Sequence, residues 1–132
     1  MDANPHGIPG EWMILGKDIP PRVDVLDEEI SGVQGYGTML VVPGAQSLNT
    51  TFEFTLPSSV LTRENDSNLF NYRLKVQKQP GTTANPLVIR IHLPDHSQVE
   101  TINQDAVVQG NNLLIETNLR TDVYVELVFS IP

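Results

Sequence analysis

Hydrophobic and polar residues alternate with a period of two along most of the chain, which is the pattern of a β-strand with one buried face. In the last run, Val123, Val125 and Leu127 fall on one face, whereas Tyr124 and Glu126 fall on the other. The strongest runs of this kind lie at residues 51–56, 70–77, 87–93 and 123–131. Each run predicts a strand in an antiparallel sheet that is covered on one side only.

Shorter runs predict further strands between these. They lie at residues 12–15, 22–26, 38–42, 99–102 and 113–117. The pair Gly110-Asn111 stands between two runs and predicts a hairpin, because a two-residue turn with glycine matches the twist of paired strands. Helical periodicity is missing: residues 26–30 allow one turn at most, and the glycine-rich stretch 31–37 is expected to be a loop or an irregular edge.

Turns separate the runs at close intervals, since the 132 residues include 10 prolines and 9 glycines. About eight to ten short strands cannot form one flat sheet in a chain of this length, so two half-buried sheets must cover each other. The expected fold is all-β, an immunoglobulin-like antiparallel β-sandwich. No repeat or linker divides the chain, and we expect one domain over residues 1–132, with residues 1–10 as a flexible lead.

Composition narrows the class of protein. Hydrophobic residues make up 39% and charged residues 18%, a balance typical of a folded chain. The net charge of -8 argues against nucleic acid as a partner, because phosphates need a concentrated positive surface. The absence of cysteine excludes disulfides and thiolate metal sites. No apolar run reaches the ~20 residues of a membrane span, so an anchor, if there is one, is expected outside this chain.

Acidic residues are densest between the predicted strand 22–26 and the glycine-rich stretch. The four carboxylates are Asp24, Asp27, Glu28 and Glu29. Calcium prefers such oxygen ligands, but the spacing matches no calcium-binding loop motif. A solvated turn is the favoured interpretation, with calcium binding as the alternative.

The histidines and serines offer no convincing catalytic arrangement. A metal site would need His6, His92 and His96 to converge with carboxylates. His92 falls on the wetter face of its strand, whereas His96 and Ser97 share a turn. Neither setting pairs a nucleophile with an oriented base. We therefore predict no catalytic residue, no metal ligand and no cofactor.

Two other groups of side chains could form contact surfaces. Tyr36 and Tyr124 are the aromatic residues expected at the surface, where a flat ring can stack on a sugar, whereas Trp12 and Tyr72 are expected in the core.

Basic residues follow the strand 70–77, and one more could lie opposite: the four are Arg73, Lys75, Lys78 and Arg90. Cross-strand pairing with acids is the simpler interpretation of this basic stripe, and docking of an acidic partner is the alternative. The candidate acids are Glu53 and Glu126.

The segment 70–94 is the most distinctive part of the chain. It contains Tyr-Arg-Leu at 72–74, Val-Gln-Lys-Gln-Pro-Gly-Thr at 76–82, Pro-Leu at 86–87 and Leu-Pro at 93–94. These motifs resemble the C-terminal region of a family of large bacterial envelope proteins called domain of unknown function 4012. The resemblance spans residues 11–129, which is most of the chain. It implies an extracytoplasmic C-terminal module of a membrane-anchored bacterial protein, and it implies no known activity or catalytic residue.

Together these features predict a non-catalytic structural or interaction module of the bacterial cell envelope. Its expected partner is a protein or a cell-surface glycan. The alternative function is a glycan-binding module, with or without calcium. A hydrolytic enzyme with two facing carboxylates is a third, less favoured possibility.

Overall fold

The computed structural model describes residues 13–14, 17–18, 23–27, 29–38, 42, 44–64 and 67–132. They divide into two compact units, Met1–Glu53 and Phe54–Pro132. Every strand pair in the described residues is antiparallel, and their helical structure is one 3-10 turn at Ser58–Val60. The described residues contain no helix long and apolar enough to cross a membrane. The fold is therefore all-β with antiparallel sheets, as the alternation predicts, whereas the expectation of a single domain stays a prediction.

The first unit contains two small antiparallel pairs. Their strands are β1 (Met13–Ile14) with β2 (Lys17–Asp18), and β3 (Val23–Leu26) with β4 (Gly35–Thr38). The stretch 31–37, expected to be a loop or an irregular edge, begins as a turn and ends in a strand, because β4 begins at Gly35. Glycine suits this strand, since a Cβ on Gly37 would lie 3.3 Å from Leu26 Cδ2 of the adjacent strand. The predicted strand 38–42 lies partly outside the described residues.

The second unit contains two larger sheets. A four-stranded sheet has the order β5-β6-β11-β8, and a three-stranded sheet has the order β7-β10-β9. The strands are β5 (Leu61–Arg63), β6 (Leu69–Val76), β7 (Asn85–His92), β8 (Gln98–Ile102), β9 (Ala106–Gln109), β10 (Asn112–Leu119) and β11 (Val123–Ser130). The strands predicted over 70–77, 87–93, 99–102, 113–117 and 123–131 are thus confirmed, with small shifts at their ends.

Both larger sheets contribute to the same core. Ile89 and Ile115 of the three-stranded sheet pack with Val123 and Val125 of the four-stranded sheet. A second buried cluster contains Leu93, Leu113, Leu127 and Phe129, and there the ring of Phe70 stacks on that of Phe129 with centroids 5.6 Å apart. The alternating runs place these apolar side chains on one face of each strand and leave the other face for contacts with solvent or a partner.

The predicted hairpin at Gly110-Asn111 is confirmed. Gln109 pairs with Asn112, and the two residues between them form the turn. Gly110 takes φ +60° at the first central position, as a type II′ turn requires. Asn111 ties this turn to the chain near residue 94, because its side-chain amide donates to the Leu93 carbonyl oxygen at 3.0 Å.

The strand predicted over residues 51–56 is wrong for the described structure. These residues pair with no described strand, and Phe52, Phe54 and Leu56 are 59%, 66% and 52% exposed. Alternation defines two faces for a segment but does not supply the neighbouring strand that a sheet needs. The described residues of the stretch 26–30, which are 26, 27, 29 and 30, are not helical, in agreement with the weak helical signal there.

Candidate functional site

The outer face of the four-stranded sheet carries a shallow groove of about 240 Å³. Three adjacent strands, β6, β11 and β8, form its floor. Its polar lining consists of Asn71, Arg73, Thr101, Asn103 and Glu126. The inward-facing neighbours of these residues are core side chains, so the groove rests on a packed support.

A β-bulge shapes one wall of this groove. Val128 pairs with Thr101, but Phe129 pairs with Val99, so Glu100 of β8 has no counterpart on β11. Such a bulge bends a strand and increases its local twist, here next to Thr101 of the groove lining. Glu100 then accepts a hydrogen bond of 2.8 Å from the Ser130 hydroxyl.

Asn103 completes the same wall just beyond β8. Its side-chain oxygen accepts a hydrogen bond from the Glu126 backbone N–H at 2.8 Å, and its own N–H donates to the Glu126 carbonyl oxygen at 3.2 Å. The amide of Gln104 donates to the Tyr124 carbonyl oxygen at 2.7 Å. These bonds hold the end of the groove where the regular ladder stops. The sequence signal for them is the polar run after the strand 99–102, but its partner on β11 depends on the register.

Opposite charges face each other directly at the centre of the groove. Arg73 lies across from Glu126 in the register of β6 and β11, and Arg73 Nε lies 3.7 Å from Glu126 Oε1. The two side chains are 82% and 62% exposed, so water screens this pair and the contact is weak. A weak, exposed pair can open to donate to and accept from a polar ligand.

A second charged pair lies at the end of the same face. Lys75 Nζ is 3.0 Å from Asp122 Oδ2 and 5.3 Å from the centre of the Tyr124 ring. The Lys78 backbone N–H also donates to Asp122 Oδ1 at 2.9 Å. This backbone hydrogen bond, together with the Lys75 ammonium, lowers the pKa of Asp122 below its usual value of 3.8. Hydrogen bonding to Asp122 and to Tyr124 raises the pKa of Lys75 above 10.5.

For the basic stripe predicted from the sequence, the pairing of Arg73 with an acid is therefore confirmed, whereas the expected position of Arg90 is wrong. Glu126 pairs with Arg73, as the simpler interpretation expects. Arg90 does not lie opposite this strand, because β7 belongs to the other sheet. Lys78 turns back on its own loop instead, where Nζ donates to the Thr82 carbonyl oxygen at 2.8 Å.

The Pro-Gly-Thr motif at 80–82 has a conformational role in this loop. Gly81 takes φ +80°, a conformation that favours glycine. The Thr82 hydroxyl donates to the Gln79 carbonyl oxygen at 2.7 Å and closes the turn. Backbone geometry thus accounts for the residue types of this distinctive segment.

The tyrosines expected at the surface are exposed. Tyr124 is 52% exposed on the outer face of β11, and Tyr36 is 55% exposed on β4. Tyr72 is partly buried against the second core cluster, which agrees with its predicted core position. Trp12 lies outside the described residues.

The acidic residues predicted as a cluster do not form a metal site in the part of the chain that the structure describes. Asp24 lies on β3, and Asp27 Oδ1 accepts the Glu29 backbone N–H at 3.2 Å. Glu29 takes φ 51°, and a side-chain hydrogen bond from aspartate to the backbone two residues on is common in turns. Glu28 lies outside the described residues.

The described histidines lie apart in separate surface settings. His92 Nδ1 is 2.7 Å from Asn112 Oδ1, across the outer face of the three-stranded sheet. His96 is exposed in the turn after β7, with φ 66°. Ser97 beside it is 8% exposed, and its hydroxyl has no hydrogen-bond partner among the described residues. His6 lies outside the described residues.

No known protein family, curated protein or solved structure matches the chain. The resemblance to the envelope family therefore stays a prediction that rests on the motifs of segment 70–94.

Proposed function

We propose that this chain is a non-catalytic interaction module that recognises a polar partner through the outer face of its four-stranded sheet. We also propose that the two larger sheets form an immunoglobulin-like β-sandwich. Its support is the core to which both sheets contribute, with Ile115 of one sheet packed against Val125 of the other. Such a body leaves two outer faces and the end loops for contacts.

The observation that carries the proposal is the groove over β6, β11 and β8. Its charges lie within 3.7 Å of each other, yet they remain mostly exposed. Around them, Asn71, Thr101 and Asn103 offer amide and hydroxyl groups that both donate and accept hydrogen bonds. The buried faces of the same strands fix the backbone that carries this set, which reduces the backbone entropy lost when a partner binds.

Site-specific photo-crosslinking tests this surface and captures the partner whatever its identity. A photoreactive amino acid replaces Arg73 in the natural protein, in the cells that make it. A second variant carries it at Val88, which is 45% exposed on the outer face of the other sheet. The proposal expects a discrete crosslinked product from position 73 that position 88 does not give. Equal products from both positions, or none from position 73, would contradict it.

We place the module outside the cytoplasm, in the bacterial cell envelope. The support for this location is the resemblance of segment 70–94 to envelope proteins. Protease added to intact cells, with an antibody against the module as the readout, checks the location. The module should disappear while a cytoplasmic marker survives; survival of the module until the cells are lysed would refute the location.

A glycan is the second candidate for the partner. The groove suits an extended polar chain, and Tyr124 beside it exposes part of a ring on which a sugar could stack. Titration of ¹⁵N-labelled protein with a tetramer of N-acetylglucosamine, with and without calcium, tests this candidate. It predicts saturable shifts of the amides of Arg73 and Glu126, weakened several-fold in Glu126→Gln and unchanged in Val107→Ala. Shifts that do not saturate, or that spread over both sheets, would exclude this glycan at the groove.

A further inference from the structure

The two larger sheets differ in width, because one has four strands and the other has three. Residues 103–105 join β8 directly to β9, so these strands lie at the same side of the two sheets. Side chains of β7 and β6 meet in the second core cluster, against which Ile91, Phe70 and Tyr72 pack, whereas neither described core cluster contains a residue of β5. No described strand covers β5, and no described strand pairs with the far edge of β7.

Leu61 shows the consequence of this missing strand. It lies opposite Tyr72, and Tyr72 packs against the second core cluster, so Leu61 also points to the inner side of its sheet. Even so, Leu61 is 39% exposed. The inner side of β5 and the free edge of β7 thus border a slot with the width of one strand.

A segment with the right pattern for this slot stands unpaired in the same chain. Thr51–Leu56 alternates perfectly, with Phe52, Phe54 and Leu56 on one face and polar residues on the other. Its three apolar side chains are more than half exposed, and it pairs with no described strand. Exposed alternating segments and free sheet edges are the two components of strand addition.

We propose that Thr51–Leu56 of one copy adds as a strand to the free edge of β7 in a second copy of this chain. Phe52, Phe54 and Leu56 would then cover the inner side of Leu61, while Thr51, Glu53 and Thr55 would face solvent. The backbone of β7 supplies the unpaired N–H and C=O groups along its free edge, and Pro86 near its start is typical of an edge strand.

The turn that follows the segment favours a second copy over the same chain. Val60 N–H donates to the Pro57 carbonyl oxygen at 3.2 Å, within the 3-10 turn that leads into β5. With this turn formed, Phe54 and Leu56 remain exposed and pair with no described strand. Filling the slot from within would require the turn to rearrange, whereas two copies can exchange segments with the turn intact. Such an exchange is reciprocal and closes as a two-fold dimer.

Sedimentation velocity from micromolar to near-millimolar protein tests the proposal with three variants. Phe52→Lys with Phe54→Lys removes the donated apolar face, and Leu61→Lys places a charge in the slot. Val107→Lys is the matched control, since Val107 is 57% exposed on the outer face of the other sheet. All four positions are at least partly exposed, and circular dichroism checks that each variant folds.

We expect the wild type and Val107→Lys to double in mass as concentration rises, and the other two variants to stay monomeric. A mixture of the two monomeric variants should form a heterodimer, because one retains the segment and the other retains the slot. A wild type that is monomeric at every concentration would overturn the proposal. So would a dimer that persists in both variants, or a monomer that loses thermal stability when Phe52 and Phe54 are replaced, which would place the segment in its own chain.

Discussion

Replacing Ile115 by alanine tests whether the two larger sheets depend on one shared core. Ile115 is 1% exposed on β10, lies directly opposite Ile89, and packs with Val123 and Val125 of the other sheet. Truncation of a buried isoleucine costs about 2 to 5 kcal/mol, because apolar contacts are lost and a cavity remains. For a unit of this size, a loss of about 3 kcal/mol lowers Tm by roughly 12 to 24 °C.

Urea and thermal unfolding, followed by circular dichroism, measure this effect. Val107→Ala is the matched control on the same sheet, because Val107 points outward and is 57% exposed. Its loss should stay below about 1 kcal/mol. If Ile115→Ala also lost less than about 1 kcal/mol, the shared core, and with it the β-sandwich, would be refuted.

Three further changes probe the turn, the charged pair and the end of the groove. Gly110→Ala should lower the free energy of unfolding in urea by about 1 to 2 kcal/mol, because a side chain is strained at φ +60°. No atom lies within 4 Å of the added Cβ, so the strain comes from the backbone conformation. Gly44, which has no positive φ, is the control, and Gly44→Ala should leave the stability unchanged. Asp122→Asn should lower stability at neutral pH. Because the folded state lowers the pKa of Asp122, the stability that its carboxylate contributes is present above pH 3.8 and disappears as the pH falls below that value. The urea unfolding curves of the variant and the wild type should therefore converge at low pH. A difference in stability that stays constant with pH would contradict this. Asn103→Ala should cost about 1 kcal/mol by the same assay, since the Glu126 N–H loses its acceptor, and an unchanged midpoint would count against that role.

Much of the second unit could be predicted from the sequence because its strands are covered on one side only. In β11, Val125 and Leu127 are buried while Tyr124 and Glu126 are exposed, so the alternation directly reports the fold. Gly110 is similarly informative, since few residues besides glycine adopt the backbone of its turn. These signals are local, and a single sequence contains them.

The predictions from the sequence that fail concern which segments become neighbours in a sheet. The pattern of Thr51–Leu56 is as regular as that of any other strand, but the pattern does not identify a partner. By pattern alone, Arg90 could lie opposite the strand that carries Arg73. Its strand, β7, belongs to the other sheet. The alternation of β7 would be the same in either sheet, so the pattern does not decide between them. The stretch 31–37 could be a loop or an irregular edge by pattern alone, and from Gly35 it is a strand, where glycine permits the close approach of β3.

The candidate site could be predicted only in part for the same reason. The ion pair between Arg73 and Glu126 is a natural expectation from two charged residues on outward faces. The groove itself depends on the bulge at Glu100 and on Asn103, and both follow from the register between β8 and β11. Register is set by the whole sheet, and no short motif encodes it.

Hydroxyl-radical footprinting tests most directly whether the outer face of the four-stranded sheet is the surface that binds the partner. Oxidation of Tyr124 and of Tyr36 is compared between the purified chain and the natural protein in intact cells. The two tyrosines are 52% and 55% exposed, so they should react at similar rates in the purified chain. Tyr124 should become protected in cells while Tyr36 keeps its rate. Unchanged oxidation of Tyr124, or protection of Tyr36 alone, would contradict it.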